Sequence, residues 1–352
     1  MTTGRGLPRV CLVSEALGLP RDEGVRQFAA SLLAALQGVA WAVGLAVGRG
    51  AAPGTAEALP AGRLFLSPRL ARRLRACAPD LVVYVPSAAA TIFSLWRARA
   101  LRLMWPRARV AMVSLQPRRL GRPSRLLARA LRPDVVFAQA PWTMAGLRAL
   151  GCAVRFLPAG VDLQRFVPVT PAEKEALRRR YGLPRDEFLL LHVGHAKPGR
   201  NLEALACVPE GTRLVVVAAA SMGRDPRLLA MLRGAGAIVL EGYQERIQEL
   251  YQACDCYLFP VQRPGCAVDV PLSVLEAMAC NLPVVTYPFG GLPLMFSGGD
   301  GLCFLDDWRR LPLALAEVRA LPSPRTRQMV SHYGWPEVAR YLLAHALGVY
   351  AL

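Results

Sequence analysis

At 352 residues the chain is too long for one ordinary core, and at roughly 150 residues per domain it is expected to hold two. Its 53% apolar content fills such cores and excludes a disordered chain, while the lack of any run of about 18 apolar residues excludes a membrane-spanning helix. The net charge of +18, from 43 basic and 25 acidic residues, calls for an anionic partner or a coding bias toward arginine.

The charge is uneven. Residues 1–165 hold 24 arginines and 7 acids, a net of +17, whereas residues 166–352 net only +1. Lys174 and Lys197 are the only lysines. The nine cysteines are odd in number, form no CxxC pair and lie in apolar contexts, which reads as free thiols in a reducing compartment. The first residues lack a signal-peptide layout, so a cytoplasmic location is expected, with association to the inner face of the membrane left open. His192, His195, His332 and His345 form no metal-ligand motif, Asp306-Asp307 is a lone pair, and no metal is expected.

In chain order, strands are expected at Pro8–Ser14, Val39–Val47, Arg63–Leu66, Leu81–Val85, Val110–Val113, Asp134–Ala138 and Val154–Leu157. Helices at Gly24–Gln37, Ser87–Met104, Ser124–Leu131 and Trp142–Leu150 separate them. A polar helix at Glu173–Tyr181 sits in a proline-marked stretch, Pro158–Pro184, that reads as the hinge. Further strands follow at Phe188–Val193, Arg213–Ala218, Ala237–Leu240, Cys256–Phe259 and Pro283–Thr286. Their helices are Leu202–Ala206, Pro226–Leu232, Glu245–Ala253, Ser273–Ala279 and Trp308–Leu321. Alternating α and β elements with near-continuous apolar strands mean an α/β protein of two doubly wound, Rossmann-like parallel-sheet domains. The expected domains are 1–165, strongly basic, and 166–334. A C-terminal amphipathic helix in 335–352 either continues the second or crosses back to the first.

The densest segment for chemistry runs Asp269-Val-Pro-Leu-Ser-Val-Leu-Glu276-Ala-Met-Ala-Cys-Asn-Leu-Pro-Val-Val285. A loop there enters a helix whose first backbone N–H groups, at Leu272, Ser273 and Val274, suit a diphosphate. Glu276 lies one turn in, where a carboxylate accepts from sugar or ribose hydroxyls; a first-turn acid complementing the helix dipole is the structural reading.

This segment resembles the retaining glycosyltransferases of family four, of GT-B architecture, whose two domains face across a cleft. That family carries a Glu-x7-Glu signature followed by Ala-Met-Ala and Pro-Val-Val. Glu276 matches the second acid, which the resemblance assigns to the donor ribose. The first position is Val268, so the neighbouring Asp269 is the expected sugar-contacting substitute. The loop Val193-Gly194-His195-Ala-Lys197-Pro-Gly199-Arg200-Asn201 is similar to the family's Val-Gly-Arg…Lys-Asn loop, which implies Arg200 and Lys197 on the donor diphosphate with Gly194, His195 and Asn201 around it. Leu157-Pro-Ala-Gly-Val-Asp162…Phe166-Val-Pro168 looks like the interdomain segment. Tyr243 would border the base, and Gly290-Gly291 matches a Gly-Gly turn near the ligand. On the acceptor side, Asp22-Glu23-Gly24 keeps one glycine of the family pair, and Gln116 or Arg118 replaces a histidine. The resemblance implies transfer of a sugar from a nucleotide diphosphate, with retention and without metal or other cofactor, to a hydroxyl acceptor of a lipid-linked or cell-envelope kind. A sugar-nucleotide epimerase or phosphorylase on the same fold, and a non-catalytic sugar-nucleotide binder, remain as alternatives.

Eleven arginines and no acid occupy 97–132. Arg122, Arg125, Arg129 and Arg132 share one helix face, opposite Leu126, Leu127, Ala130 and Leu131, and Ile92, Phe93, Leu95 and Trp96 lie upstream. The stretch 88–132 reads as a surface for anionic membrane or as a solvated basic face. Nucleic acid is disfavoured, since no binding motif or stacking platform accompanies the charge.

Overall fold

In a computed structural model, the structure describes residues 6–17, 23–48, 56–87, 89–118, 121–219, 223 and 225–348, with backbone alone at 122–124. Asp22, Arg119 and the side chains of Arg122 and Ser124 lie outside the described residues.

The chain forms two compact units: 1–160 with 268–270 and 335–352, and 161–267 with 271–334. The first holds seven parallel strands: β1 (Arg9–Ser14), β2 (Trp41–Val47), β3 (Glu57–Leu59), β4 (Leu81–Val85), β5 (Arg109–Ser114), β6 (Val135–Ala138) and β7 (Val154–Phe156). Their order is β3-β2-β1-β4-β5-β6-β7. The second holds β8 (Phe188–Gly194), β9 (Thr212–Ala218), β10 (Ile238–Glu241), β11 (Cys256–Phe259), β12 (Val284–Thr286) and β13 (Leu302–Phe304), parallel in the order β10-β9-β8-β11-β12-β13. Both are doubly wound sheets, the expected fold class. Helices cover both faces, so strands such as Leu-Val-Val-Tyr-Val of β4 are buried along their whole length. In the second unit the order reverses between β8 and β11, and the loops leaving their carboxyl ends flank the point where a doubly wound sheet takes its ligand.

Some elements differ from expectation. The apolar run Arg63–Leu66 is not a strand: Phe65 takes a left-handed φ of 59° and buries its ring, and the edge strand is Glu57–Leu59, paired with Leu45–Val47. The helix Pro68–Cys77 follows, started by Pro68 and capped by Ser67, whose hydroxyl accepts the Leu70 N–H. Leu202–Ala206 is a 3-10 helix. The C-terminal helix Trp335–Leu347 clusters with the first unit, where its Trp335 packs edge-on against Phe28 at 5.3 Å. Gly160 leaves room for it, since a Cβ there would stand 2.6 Å from the indole.

The basic stretch is also more paired than its sequence indicates. Arg97 binds Glu15, and Arg102 binds Asp134 at 2.9 Å. Leu95 is core, with Ile92 and Trp96 packed against it. In the helix Arg122–Ala130 the expected apolar face is corrected: Ala128 and Leu131 are buried, but Leu126 and Leu127 are 71% and 53% exposed, alongside Arg125 and Arg129. No helix of the described residues is long and apolar enough to cross a membrane.

Candidate functional site

The loop after β8 folds back on itself. Gly199 at φ +84° and Asn201 at φ 59° take the left-handed conformation, and the Asn201 amide donates to the Pro260 carbonyl beyond β11 at 3.3 Å. This turn returns Arg200 to the end of β8. A Cβ on Gly194 would meet Arg200 Nη2 at 2.9 Å, so the glycine lets the guanidinium lie against the backbone. Arg200 is buried. Its Nη1 donates to the Cys266 carbonyl at 3.4 Å, its Nε has no partner, and no carboxylate among the described residues pairs with it. Burial lowers its pKa from the ordinary arginine value, yet guanidinium stays charged in proteins. A buried cation without a counter-charge is costly in isolation and marks a place for an anion. Lys197 is half-buried, and its side chain makes no hydrogen bond or ion pair among the described residues. The His195 carbonyl accepts the Lys197 N–H at 3.0 Å.

The helix Leu272–Ala279 starts from Pro271 with no side-chain cap, which leaves Leu272, Ser273 and Val274 in its first turn. Tyr257 of β11 reaches the end of β8, where its hydroxyl donates to the Val193 carbonyl at 3.3 Å. Glu276 accepts from the Tyr251 hydroxyl at 2.9 Å. Burial pushes its carboxyl up to about 7, against the opposing pull of that bond and of Arg165. Tyr251 packs edge-on against Phe166 at 5.8 Å, and the Phe166 carbonyl is held by Arg327 at 2.7 Å. The Gly-Val-Asp…Phe segment thus buttresses the residue that holds Glu276. Gly290, at φ +61°, and Gly291 are buried after β12. Tyr243 follows β10, an edge strand two positions from β8, and is 60% exposed.

The structure therefore gathers Gly194, Arg200, Asn201 and Ser273 around the carboxyl ends of β8 and β11, with Glu276 one turn along the same helix. Asp269 is held by other contacts. It is fully buried and clusters with the first unit, where it accepts from the Thr143 hydroxyl at 2.5 Å and the Trp142 indole N–H at 3.0 Å. Its backbone N–H donates to the Leu115 carbonyl at 2.7 Å. Burial pushes its carboxyl up to about 6. Each oxygen accepts one hydrogen bond from the first unit, which ties the 268–270 segment to it. Val268 packs on Gly24, where a Cβ would meet its methyls at 3.3 Å. Glu23 precedes the helix Gly24–Val39 and pairs with Arg26 at 3.1 Å. Gln116 is half-buried after β5 and Arg118 is exposed.

Sequence reasoning passed over His192 and Tyr257. Both interrupt otherwise apolar strands buried on both faces, and that interruption was the available signal.

A family model described as glycosyl transferases group 1 matches residues 191–318. The chain is 30% identical over 221 residues to a D-inositol 3-phosphate glycosyltransferase of Xylanimonas cellulosilytica, covering 54% of this chain and 50% of that protein. It is 27% identical over 167 residues to a GDP-mannose-dependent monoacylated alpha-(1-6)-phosphatidylinositol monomannoside mannosyltransferase of Corynebacterium glutamicum, covering 42% of this chain and 41% of that one. The matches thus span half or less of these relatives' length. Among solved structures, HepE of Anabaena in complex with UDP superposes with a TM-score of 0.75 at 15% identity, covering 97% of this chain and 100% of that one.

Proposed function

We propose that this chain, which belongs to the group 1 glycosyltransferases and has their GT-B fold, moves a sugar from a nucleotide diphosphate to a hydroxyl acceptor with retention and without a metal. One observation carries the reading: Arg200 is a buried guanidinium without a carboxylate, held against Gly194 at the switch point of the second sheet. A departing diphosphate supplies the missing charge. Arg200 and Lys197 stabilise it together with the backbone N–H groups at Leu272 and Ser273, since the Val274 N–H already donates to the Pro271 carbonyl at 3.2 Å; this is electrostatic stabilisation of the leaving group. Glu276 accepts from the donor ribose. UDP in HepE and GDP-mannose for the Corynebacterium relative support a nucleotide-sugar donor.

A thermal-shift panel of UDP-, GDP- and ADP-sugars tests this. A donor at 100 times its Kd stabilises the folded chain by about 2.7 kcal/mol, enough to raise Tm by a few degrees. No shift with any of them would remove the reading. The commitment of Asp269 to Trp142 and Thr143, with Val268 in the first-acid position, favours a second reading: sugar-nucleotide binding without turnover. A donor that shifts Tm yet is neither hydrolysed nor transferred would establish that one.

The exposed Leu126 and Leu127 beside Arg125 and Arg129 support an anionic lipid surface as the place where the acceptor is met. Sedimentation with phosphatidylglycerol vesicles at low salt, and its loss with phosphatidylcholine alone, is the expected result. Equal sedimentation with both would count against a charge-directed surface.

A further inference from the structure

His192 lies in β8, two residues before Gly194, and is fully buried. Its Nδ1 is 2.9 Å from the Leu258 carbonyl oxygen. A carbonyl only accepts, so Nδ1 carries the proton and Nε2 presents a bare lone pair. Nε2 has no hydrogen-bond partner, and neither has Arg200 Nε. The two groups border the same space: an atom added to the Gly194 Cα would stand 2.9 Å from Arg200 Nη2 and 3.3 Å from His192 Nε2. The ring is wedged in place, stacked on Tyr257 at 6.3 Å and 16° and tilted on Phe259 at 6.5 Å. Burial, reinforced by the positive Arg200, drives the imidazole down to about 3. The core does not need a histidine here, because Leu189, Leu190 and Leu191 fill the same strand with aliphatic side chains.

We propose that His192 is the positioning residue for Arg200: an imidazole whose tautomer is fixed by Leu258, and which confines the buried guanidinium at the diphosphate site without giving it a counter-charge. The inference rests on the diphosphate reading above. A carboxylate in the same position would also confine Arg200, but would compete with the ligand for its charge. An aliphatic side chain would fill the space and leave the guanidinium with the long Cys266 carbonyl contact as its remaining polar partner among the described residues.

The test uses His192→Gln, His192→Leu and His192→Asp in the full chain. It compares Tm, calorimetric affinity for UDP, GDP or ADP (whichever wild type binds best), and KM against kcat. Gln, which offers an uncharged acceptor, is expected to stay within about 3-fold of wild type in affinity. Leu is expected to lose about 10-fold, with the loss in KM, and Asp more than Leu. Equal binding by folded Leu and Gln variants overturns the proposal, as does a folded Asp variant that binds like wild type. Should the Asp variant fail to fold, the Leu and Gln pair decides. A second readout needs no ligand. The wild-type His192 ring nitrogens are expected to show the Nδ1–H tautomer and no titration between pH 5.5 and 8. An Nε2–H tautomer or a titration near the ordinary histidine value overturns the proposal. A wild-type chain that binds none of the three nucleotides brings down the diphosphate reading itself, whereas binding by wild type with indifference to His192 brings down this inference alone.

Discussion

Arg200→Met is expected to lower affinity for a nucleoside diphosphate about 100-fold, equivalent to about 2.7 kcal/mol, while leaving Tm no lower than that of wild type. The two halves of this result have one cause. A buried arginine that served stability would hold a carboxylate, and its removal would cost several kcal/mol by stranding the partner. Arg200 strands nothing: among the described residues its one side-chain bond is a long contact to the Cys266 carbonyl, and its Nε is unpaired. Methionine fills much the same volume without the desolvation cost of the cation. Charge-assisted bonds from guanidinium to phosphate are the interactions lost. Calorimetry and thermal denaturation on the same preparation check both halves, and a large fall in Tm with unchanged affinity would make Arg200 structural.

Glu276 gives the second large effect, and its sign is set by burial. Burial holds its carboxyl at about 7 in the folded chain, against 4.5 for an ordinary glutamate. A folded-state pKa raised in this way favours folding when the group is protonated. The contribution is fully present below pH 4.5 and is lost as pH rises through 7. Allowing for partial exposure, the loss is about 2 kcal/mol. Glu276→Gln, which stays neutral and still accepts from Tyr251, is expected to remove that part of the pH dependence and to be the more stable protein at pH 8. Binding runs the other way. The ionised carboxylate is the better acceptor for ribose hydroxyls, so wild-type affinity for the nucleotide is expected to improve relative to the Gln variant as pH passes through 7, reaching about 10-fold at pH 8. Denaturation midpoints and calorimetric titrations of both proteins at pH 5.5, 7 and 8 check this. Parallel stability profiles would mean that Glu276 is not strained by burial.

Much of this was legible in the chain. The strands of both sheets follow from apolar runs such as Leu81–Val85 and Phe188–Val193, because a strand covered on both faces has no polar alternation to confuse with anything else. The loop after β8 was visible through its glycines and cations. What escaped depended on three-dimensional company. Arg-Leu-Phe-Leu at 63–66 is as apolar as a strand, but Phe65 reaches the core from a left-handed turn, and the short Glu57–Leu59 at the sheet edge carries too little pattern to compete. Asp269 sits one position from a family acid, yet its bonds come from Trp142 and Thr143, more than 120 residues away in sequence. His192 counted as one of four scattered histidines, and its placement beside Arg200 arises only when Gly199 and Asn201 turn the loop back.

The most direct test of the donor site is a crystal structure of the full chain with the nucleoside diphosphate it binds best. The diphosphate is expected within hydrogen-bonding distance of the Arg200 guanidinium and of the first turn of the helix Leu272–Ala279, with a ribose hydroxyl on Glu276. A nucleotide seated elsewhere, with Arg200 still without an anion, would contradict that placement.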